Sequence, residues 1–435
     1  MNKKVSIYFI VFGLTALILT SIFGILSSLY YVYPDLFGND LPFNKLRPLH
    51  VSSAVSWIIL TAVGGIYYYT NHYKRDTRLV PVHFILYLLT GIGIYISFLL
   101  YQFGGREYFS FSPYFIIPIL LGWALFGITY FRRIRGTSKK LPVYKWMWGT
   151  GIVFMILHIS EAHLWLFPYF RENFIKDLSV QWKSYGSFVG SWNMLVYGTA
   201  IYLMTKLKGD ESLAFTRKSF FFFFLGLTNL MFGWAHHTYI VPNAPWIRYL
   251  AYIISMTEWV VLLSIIRDWK KSFPAFKRNL NTAYKFIISS EYWILINLVF
   301  ALLISIPALN YFTHGTHFTV AHSMGTTIGI NTSILFASVS YIASKESSKL
   351  NLKSRWVIAY NICLFFFWVV LLSMGYFKSQ WVNSHETLQH GSMMNNMNTF
   401  HIVFVVSGIL LGLVLISIAA YFAIKLLKST PKNTN

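Results

Sequence analysis

"MNTFHIVFVVSGILLGLVLISIAAYFAIKLL", residues 397–427, decides the fold class. Its one formally charged side chain, Lys425, comes near the end. A helix needs ~20 apolar residues to cross a hydrocarbon core of ~30 Å, and this run is longer. In lipid, backbone N–H and C=O groups must be satisfied within the segment, so the run reads as a helix. His401 sits in its first half, at a depth where ionisable groups are rare and tend to be functional.

Comparable runs extend back to the N-terminus at 5–33, 48–71, 80–102, 113–131, 146–168, 180–205, 219–240, 245–266, 286–309, 314–343 and 356–377. With 397–427 they make about twelve expected spans. The composition agrees. Of 435 residues 56% are hydrophobic and 11% charged, too little charge to cover a soluble surface of this size. The expectation is an all-α polytopic membrane protein, residues 1–435 forming a single transmembrane helical domain. There is no internal repeat or low-complexity stretch. The run after Lys3 and Lys4 is too long for a signal-peptide core and reads as the first span. Cys363, the single cysteine, lies within an apolar run as core packing; no C-x-x-C-H motif offers covalent haem attachment.

The net charge of +22 is explained by topology. With the N-terminus inside, only Lys45, Arg47, Arg106, Arg171, Lys176, Lys183, Arg248 and Lys378 fall on the outer side. The remaining 28 of 36 cations gather in inner segments such as "HYKRDTR" (72–78) and "FRRIRGTSKK" (131–140). This positive-inside bias predicts a multi-pass protein of the inner (cytoplasmic) membrane with both termini cytoplasmic. It requires no nucleic acid. The thirteen histidines show the opposite bias: only His72 and His83 lie near the inner side. A layer of imidazoles near one face suggests metal or haem sites there.

Four stretches carry the chemistry. "FGWAHHTYIVPNAPW" (232–246) places His236 and His237 side by side, ~100° apart on a helix, able to converge on a metal beside it. "NYFTHGTHFTVAHSMGTTIGIN" (310–331) holds His322 and, ~200° further round, Met324. Imidazole and thioether are both haem ligands, so this helix suits a position between two haems. "LPFNKLRPLHVSSAVSW" (41–57) brings His50, a second axial ligand. "FGGREYFSFSP" (103–113) brings Arg106, able to pair with a propionate, and Glu107, able to offer oxygens to Ca²⁺.

Together these motifs resemble the catalytic subunit (subunit I) of the haem–copper oxidase superfamily, and their local pattern is most like the nitric oxide reductase large subunit. The resemblance spans essentially the whole chain. It implies His50 as an axial ligand of a low-spin haem b and His322 as proximal ligand of a high-spin haem b. It implies His236 and His237 as ligands of non-haem Fe or Cu, Glu107 near a bridging calcium with Arg106 beside it, and Glu258 in "SMTEWVV" (255–261) near the active site. Three departures stand out. Met324 occupies a family histidine position, so His50/Met324 ligation is the conservative reading. Tyr185 in "WKSYGSFVG" (182–190) stands where a third metal histidine is expected. Val189 and Asn193 replace two glutamates. Tyr185 as phenolate, or His158, Glu161 or His163 of "LHISEAHLW" (157–165), are alternatives for the missing ligand; a structural bridge between spans is the other reading. His314 and His317 flank the haem region in hydrogen-bonding roles, and His401 has no family role. "NSHETLQHGSMMNNMN" (383–398), with His385 and His390, reads as an outer loop with a weak copper-binding option. Glu291 stands alone in the inner half of the ninth span.

The implied activity is reduction of NO to N₂O at a haem/non-haem metal site. Electrons would come from a c-type cytochrome partner or another outer-face donor. Oxygen reduction, and a non-catalytic haem-binding homologue in electron transfer or gas sensing, are the alternatives.

Overall fold

The apolar runs become twelve long helices in the protein's structure, a computed structural model. It describes residues 2–38, 40–73, 78–136, 140–234, 244–274, 278, 281–347, 352–383 and 390–428. His236, His237 and His385 lie outside the described residues, as does the side chain of His390. The helices are α1 (Asn2–Leu29), α2 (Phe43–Tyr69), α3 (Leu79–Leu99), α4 (Ile116–Ile134), α5 (Val143–Glu161), α6 (Phe174–Lys208), α7 (Arg217–Phe232), α8 (Pro245–Ser272), α9 (Thr282–Ile304), α10 (His317–Glu346), α11 (Ser354–Asn383) and α12 (Asn398–Leu427). Ten are long and apolar enough to cross a membrane. The other two are α6, with Asp177 and Lys183 in its first turns, and α7, only 16 residues long among those described.

The chain alternates between the two ends of the bundle. At one end lie the loops that carry most of the cations. At the other lie His50, His163, His314, His317, His322 and His401; we call this the histidine end. On α3, Val82, Ile85, Leu89, Ile92, Ile96 and Leu99 are all exposed at alternating spacings of three and four. A continuous apolar stripe of this kind marks a surface facing lipid. By contrast α10 and α2 are the most enclosed spans, 78% and 67% buried over their apolar windows. These two carry His322, Met324 and His50.

Sequence periodicity did not anticipate two local features. One is a π-helical segment, Gly325–Thr332, within α10 directly after Met324. Widening the turn leaves backbone carbonyls poorly matched, and side chains complete them. Asn297 donates to the His322 carbonyl (3.1 Å), as does Thr326 (3.1 Å), while Tyr360 donates to the Ile328 carbonyl (2.5 Å). Trp57 of α2 reaches Thr332 (3.0 Å), and Asn331 reaches Asn193 of α6 (3.0 Å). The glycines let α9 come close: a Cβ on Gly329 would lie 2.5 Å from Trp293 Cγ.

The other feature is a hairpin of β1 (Phe103–Arg106) and β2 (Phe109–Phe111), where the sequence suggested only a loop. Glu107 and Tyr108 form its two-residue turn, and Tyr108 adopts φ 63°, costly for a bulky side chain. Packing holds it there. The Tyr108 ring lies 5.7 Å from Tyr185 and 6.0 Å from Phe188 of α6. At Gly105 a Cβ would sit 1.7 Å from the Phe109 carbonyl oxygen, so only glycine fits.

Candidate functional site: a histidine-lined redox centre

His50 is fixed by α1. Its Nδ1 lies 2.9 Å from the Thr20 carbonyl oxygen. A carbonyl can only accept, so Nδ1 carries the proton and Nε2 keeps its lone pair. That is the tautomer a metal requires, and the backbone partner fixes the ring orientation. Gly24, one turn on from Thr20, makes room: a Cβ there would lie 2.9 Å from His50 Cε1.

His322 is buried at the end of the α-helical part of α10. Its ring lies 5.8 Å from Trp259 on α8, tilted by 31°. A small cavity opens beside it, lined by the apolar Ala301 and Ile304 as well as by Ser305, Asn310, Thr313, His314 and Thr319. The neighbouring α8 residue Glu258 is buried, and its Oε2 accepts from Asn229 Nδ2 of α7 (2.6 Å); Ser255 donates to Asn229 Oδ1 (2.9 Å). α7 leads into the His236–His237 stretch. Trp234, two residues before His236, packs on Gly186 of α6, where a Cβ would come within 2.7 Å of its Cβ. Next to Gly186 is Tyr185, buried, its hydroxyl without a hydrogen-bond partner among the described residues. So Trp259 of α8 meets His322 of α10, while the adjacent Glu258 meets Asn229 of α7. Tyr185 lies beside the point where the chain enters the histidine pair.

The hairpin caps this region. Arg106 grips Asp177 of α6 through two parallel bonds (2.6 and 2.9 Å), reaches Gln181 (3.3 Å) and stacks on Trp165. Phe109 packs between His163 (5.3 Å) and Tyr185 (6.3 Å). His163 Nδ1 donates to the Ile159 carbonyl (2.8 Å). Glu107 is exposed, 3.7 Å from Arg47. Burial, then the Glu107 carboxylate, pushes the Tyr108 phenol up to about 12. On α5, Glu161 joins His158 Nδ1 (2.9 Å) to Lys183 of α6, bridging the two helices. Burial lowers the pKa of His314, outside the spans and 6.2 Å from Trp182. Val189 is partly buried against the core and Asn193 bonds to Asn331. Met324 and Cys363 are also partly buried against the core. Glu291 is not alone: Lys270 (2.8 Å) and Arg267 (3.6 Å) of α8 pair with it, a structural contact. Among the described residues, no group of three or more His, Cys, Asp or Glu side chains could hold a metal ion, and none forms around Glu107.

The family model "Cytochrome C and Quinol oxidase polypeptide I" matches residues 4–413. The chain belongs to this family. It is a haem–copper oxidase superfamily subunit I, a superfamily of oxidoreductases. It is 20% identical over 370 residues to a nitric oxide reductase chain of Stutzerimonas stutzeri, covering 78% of this chain and 75% of that one. Its fold matches a chain from a cryo-EM structure of a heme-copper terminal oxidase dimer, with TM-score 0.73 and 15% identity over 98% of this chain and 84% of that one.

A superfamily subunit I implies haem groups and a second metal, copper or non-haem iron. The residues present fit haem. His50 has a fixed tautomer, a glycine clearance and an available Nε2. His322 is buried on one of the two most enclosed spans. For the second metal, Tyr185 is a buried phenol beside the approach to His236, as a ligand or a close neighbour requires.

Some partners escaped sequence reading: Asn229 for Glu258, Asn297 for the His322 carbonyl, Asp177 for Arg106, Thr20 for His50. The first two had a signal. An asparagine inside an apolar run needs a partner in lipid, so each marks a contact.

Proposed function

We propose that this chain reduces NO to N₂O, two NO, two electrons and two protons giving N₂O and water. The observation that carries the proposal is that α8 meets the buried His322 through Trp259 and, at the next residue, Glu258, bonds to Asn229 on α7, the helix that precedes His236 and His237 in the chain. The resemblance to the nitric oxide reductase of Stutzerimonas stutzeri supports the choice of gas. When bound, haem iron and the second metal, Fe or Cu, supply one-electron chemistry and electrophilic charge at a small-gas site.

The chain's own residues do the rest. His322 would hold the high-spin haem b, and His50 and Met324 would hold the low-spin haem b. His236 and His237 would hold the second metal, with Tyr185 as a ligand or neighbour there. Asn229 pins Glu258 Oε2, so Oε1 is the atom available to pass a proton. The hairpin, clamped by Arg106–Asp177 and sealed by Phe109 and Tyr108, keeps bulk water from the histidine end. Electrons arrive at that end from a c-type cytochrome partner or another donor, the cation-rich end facing the cytoplasm across the inner membrane.

Oxygen reduction is a second reading, favoured by the family model and by the fold shared with a terminal oxidase. Gas consumption by the purified, haem-loaded protein with a chemical reductant separates the two. NO loss with N₂O formation supports the first reading. O₂ uptake without N₂O selects the second, and neither activity refutes both.

A further inference from the structure

At the histidine end a small cluster stands apart from the main core. Its buried members are Val370, Met374, Met393 and Met397. Three of the four are methionines, although the chain has only 12 among 435 residues. They come from three elements: α11, the short helix His390–Asn396, and the N-cap of α12. Tyr31, Trp381, Phe400, Val403 and Phe404 wall the cluster.

Two imidazoles share this wall. His401 sits one turn beyond Met397, its N–H bonded to the Met397 carbonyl (3.0 Å). It is 2% exposed. Its ring lies 5.2 Å from that of Tyr31, and the His317 ring lies 6.4 Å from the same Tyr31. His317 Nδ1 is buried without a hydrogen-bond partner among the described residues. A buried imidazole without a partner carries a desolvation cost that a ligand would relieve.

Methionine often fills gaps in cores. Gap-filling, however, explains neither why three methionines from three elements make up most of one small cluster nor the buried imidazole one turn away. Uncharged thioethers with one imidazole are the soft set that selects monovalent copper over zinc, calcium or magnesium. We propose that Met374, Met393, Met397 and His401 bind Cu(I) at a site separate from the centre at His322. His317 lies close by as a further nitrogen. Lys378, one turn beyond Met374, is engaged by the Gly315 carbonyl (3.3 Å).

The test uses the full-length, haem-loaded protein in detergent, titrated anaerobically with Cu(I) against a chromogenic chelator. X-ray absorption at the copper edge follows. Wild type is expected to retain a Cu(I) equivalent with sulfur neighbours, which the histidines of the gas site cannot supply. The volume-conserving triple variant M374L/M393L/M397L should lose that equivalent and its sulfur scattering while the haem spectrum stays unchanged. Copper with nitrogen and oxygen neighbours only in wild type overturns the proposal, whether or not the triple variant folds. Equal copper retention in variant and wild type overturns it as well. Loss of a haem band in the triple variant makes the cluster part of a haem pocket, which also overturns it.

Discussion

Gly24→Ala tests how His50 is held. The new Cβ would lie 2.9 Å from His50 Cε1 and 3.0 Å from Nδ1, inside ordinary contact distance. The ring must retreat by roughly half an ångström. It is not free to do so, because Nδ1 is anchored 2.9 Å away on Thr20, on the same helix as the intruding methyl. Overpacking of this kind costs about 1–3 kcal/mol. Breaking the Nδ1 hydrogen bond instead costs about 0.5–1.5 kcal/mol. Against either stands the helix propensity gained on replacing glycine with alanine, about 1 kcal/mol. Overall stability should therefore change little, while the ring is displaced. The assay is the reduced-minus-oxidised spectrum of purified, haem-loaded protein, beside its thermal midpoint. The expected result is a weakened or shifted low-spin haem band with the CO-binding haem retained. Gly408→Ala is the control: its nearest neighbour is Phe367 at 3.6 Å, an ordinary contact, so it should keep both haems. An unaltered low-spin band in Gly24→Ala refutes the assignment of His50.

Asn229→Leu removes the hydrogen bond to Glu258, about 1.5–3 kcal/mol if the carboxylate is charged. Turnover is expected to fall about 10- to 100-fold with haem content unchanged, read by gas consumption; unchanged turnover counts against Glu258 as a proton carrier. Gly329→Ala drives a Cβ to 2.5 Å from Trp293 beside the π-helical segment. It should destabilise the protein by about 1–3 kcal/mol, seen as a lower thermal midpoint. Asp177→Asn loosens the hairpin clamp, but the pair is partly exposed, so its stability cost should stay within about 1 kcal/mol. Faster hydrogen exchange across 103–111 would report the loosening.

The membrane bundle could be read from the sequence because apolar length and cation asymmetry are one-dimensional signals. Run 397–427 became α12 with a boundary shift of one residue. Of run 219–240 the described part forms α7 as far as Phe232, and residues 235–240, with His236 and His237, lie outside the described residues. The π-helical segment was hidden because Gly325–Thr332 keeps the polarity of an ordinary helix, and the side chains that accommodate it, Asn297, Trp293 and Tyr360, lie on other helices. The hairpin was missed because "FGGREYFSFSP" is short and its strain at Tyr108 is relieved only by Tyr185 and Phe188, far along the chain. Glu291 looked isolated for the same reason: its partners, Lys270 and Arg267, end the preceding helix. His50 and His322 could be proposed from motifs, whereas the tautomer of His50 needed the Thr20 carbonyl in space.

The most direct measurement is the dithionite-reduced difference spectrum of the purified, haem-supplied protein, with and without CO, for wild type and His322→Ala. The account predicts two b-type haems in wild type, one shifting with CO, and loss of only the CO-reactive haem in the variant. A single haem, none, or a CO-reactive haem that survives in His322→Ala would contradict it.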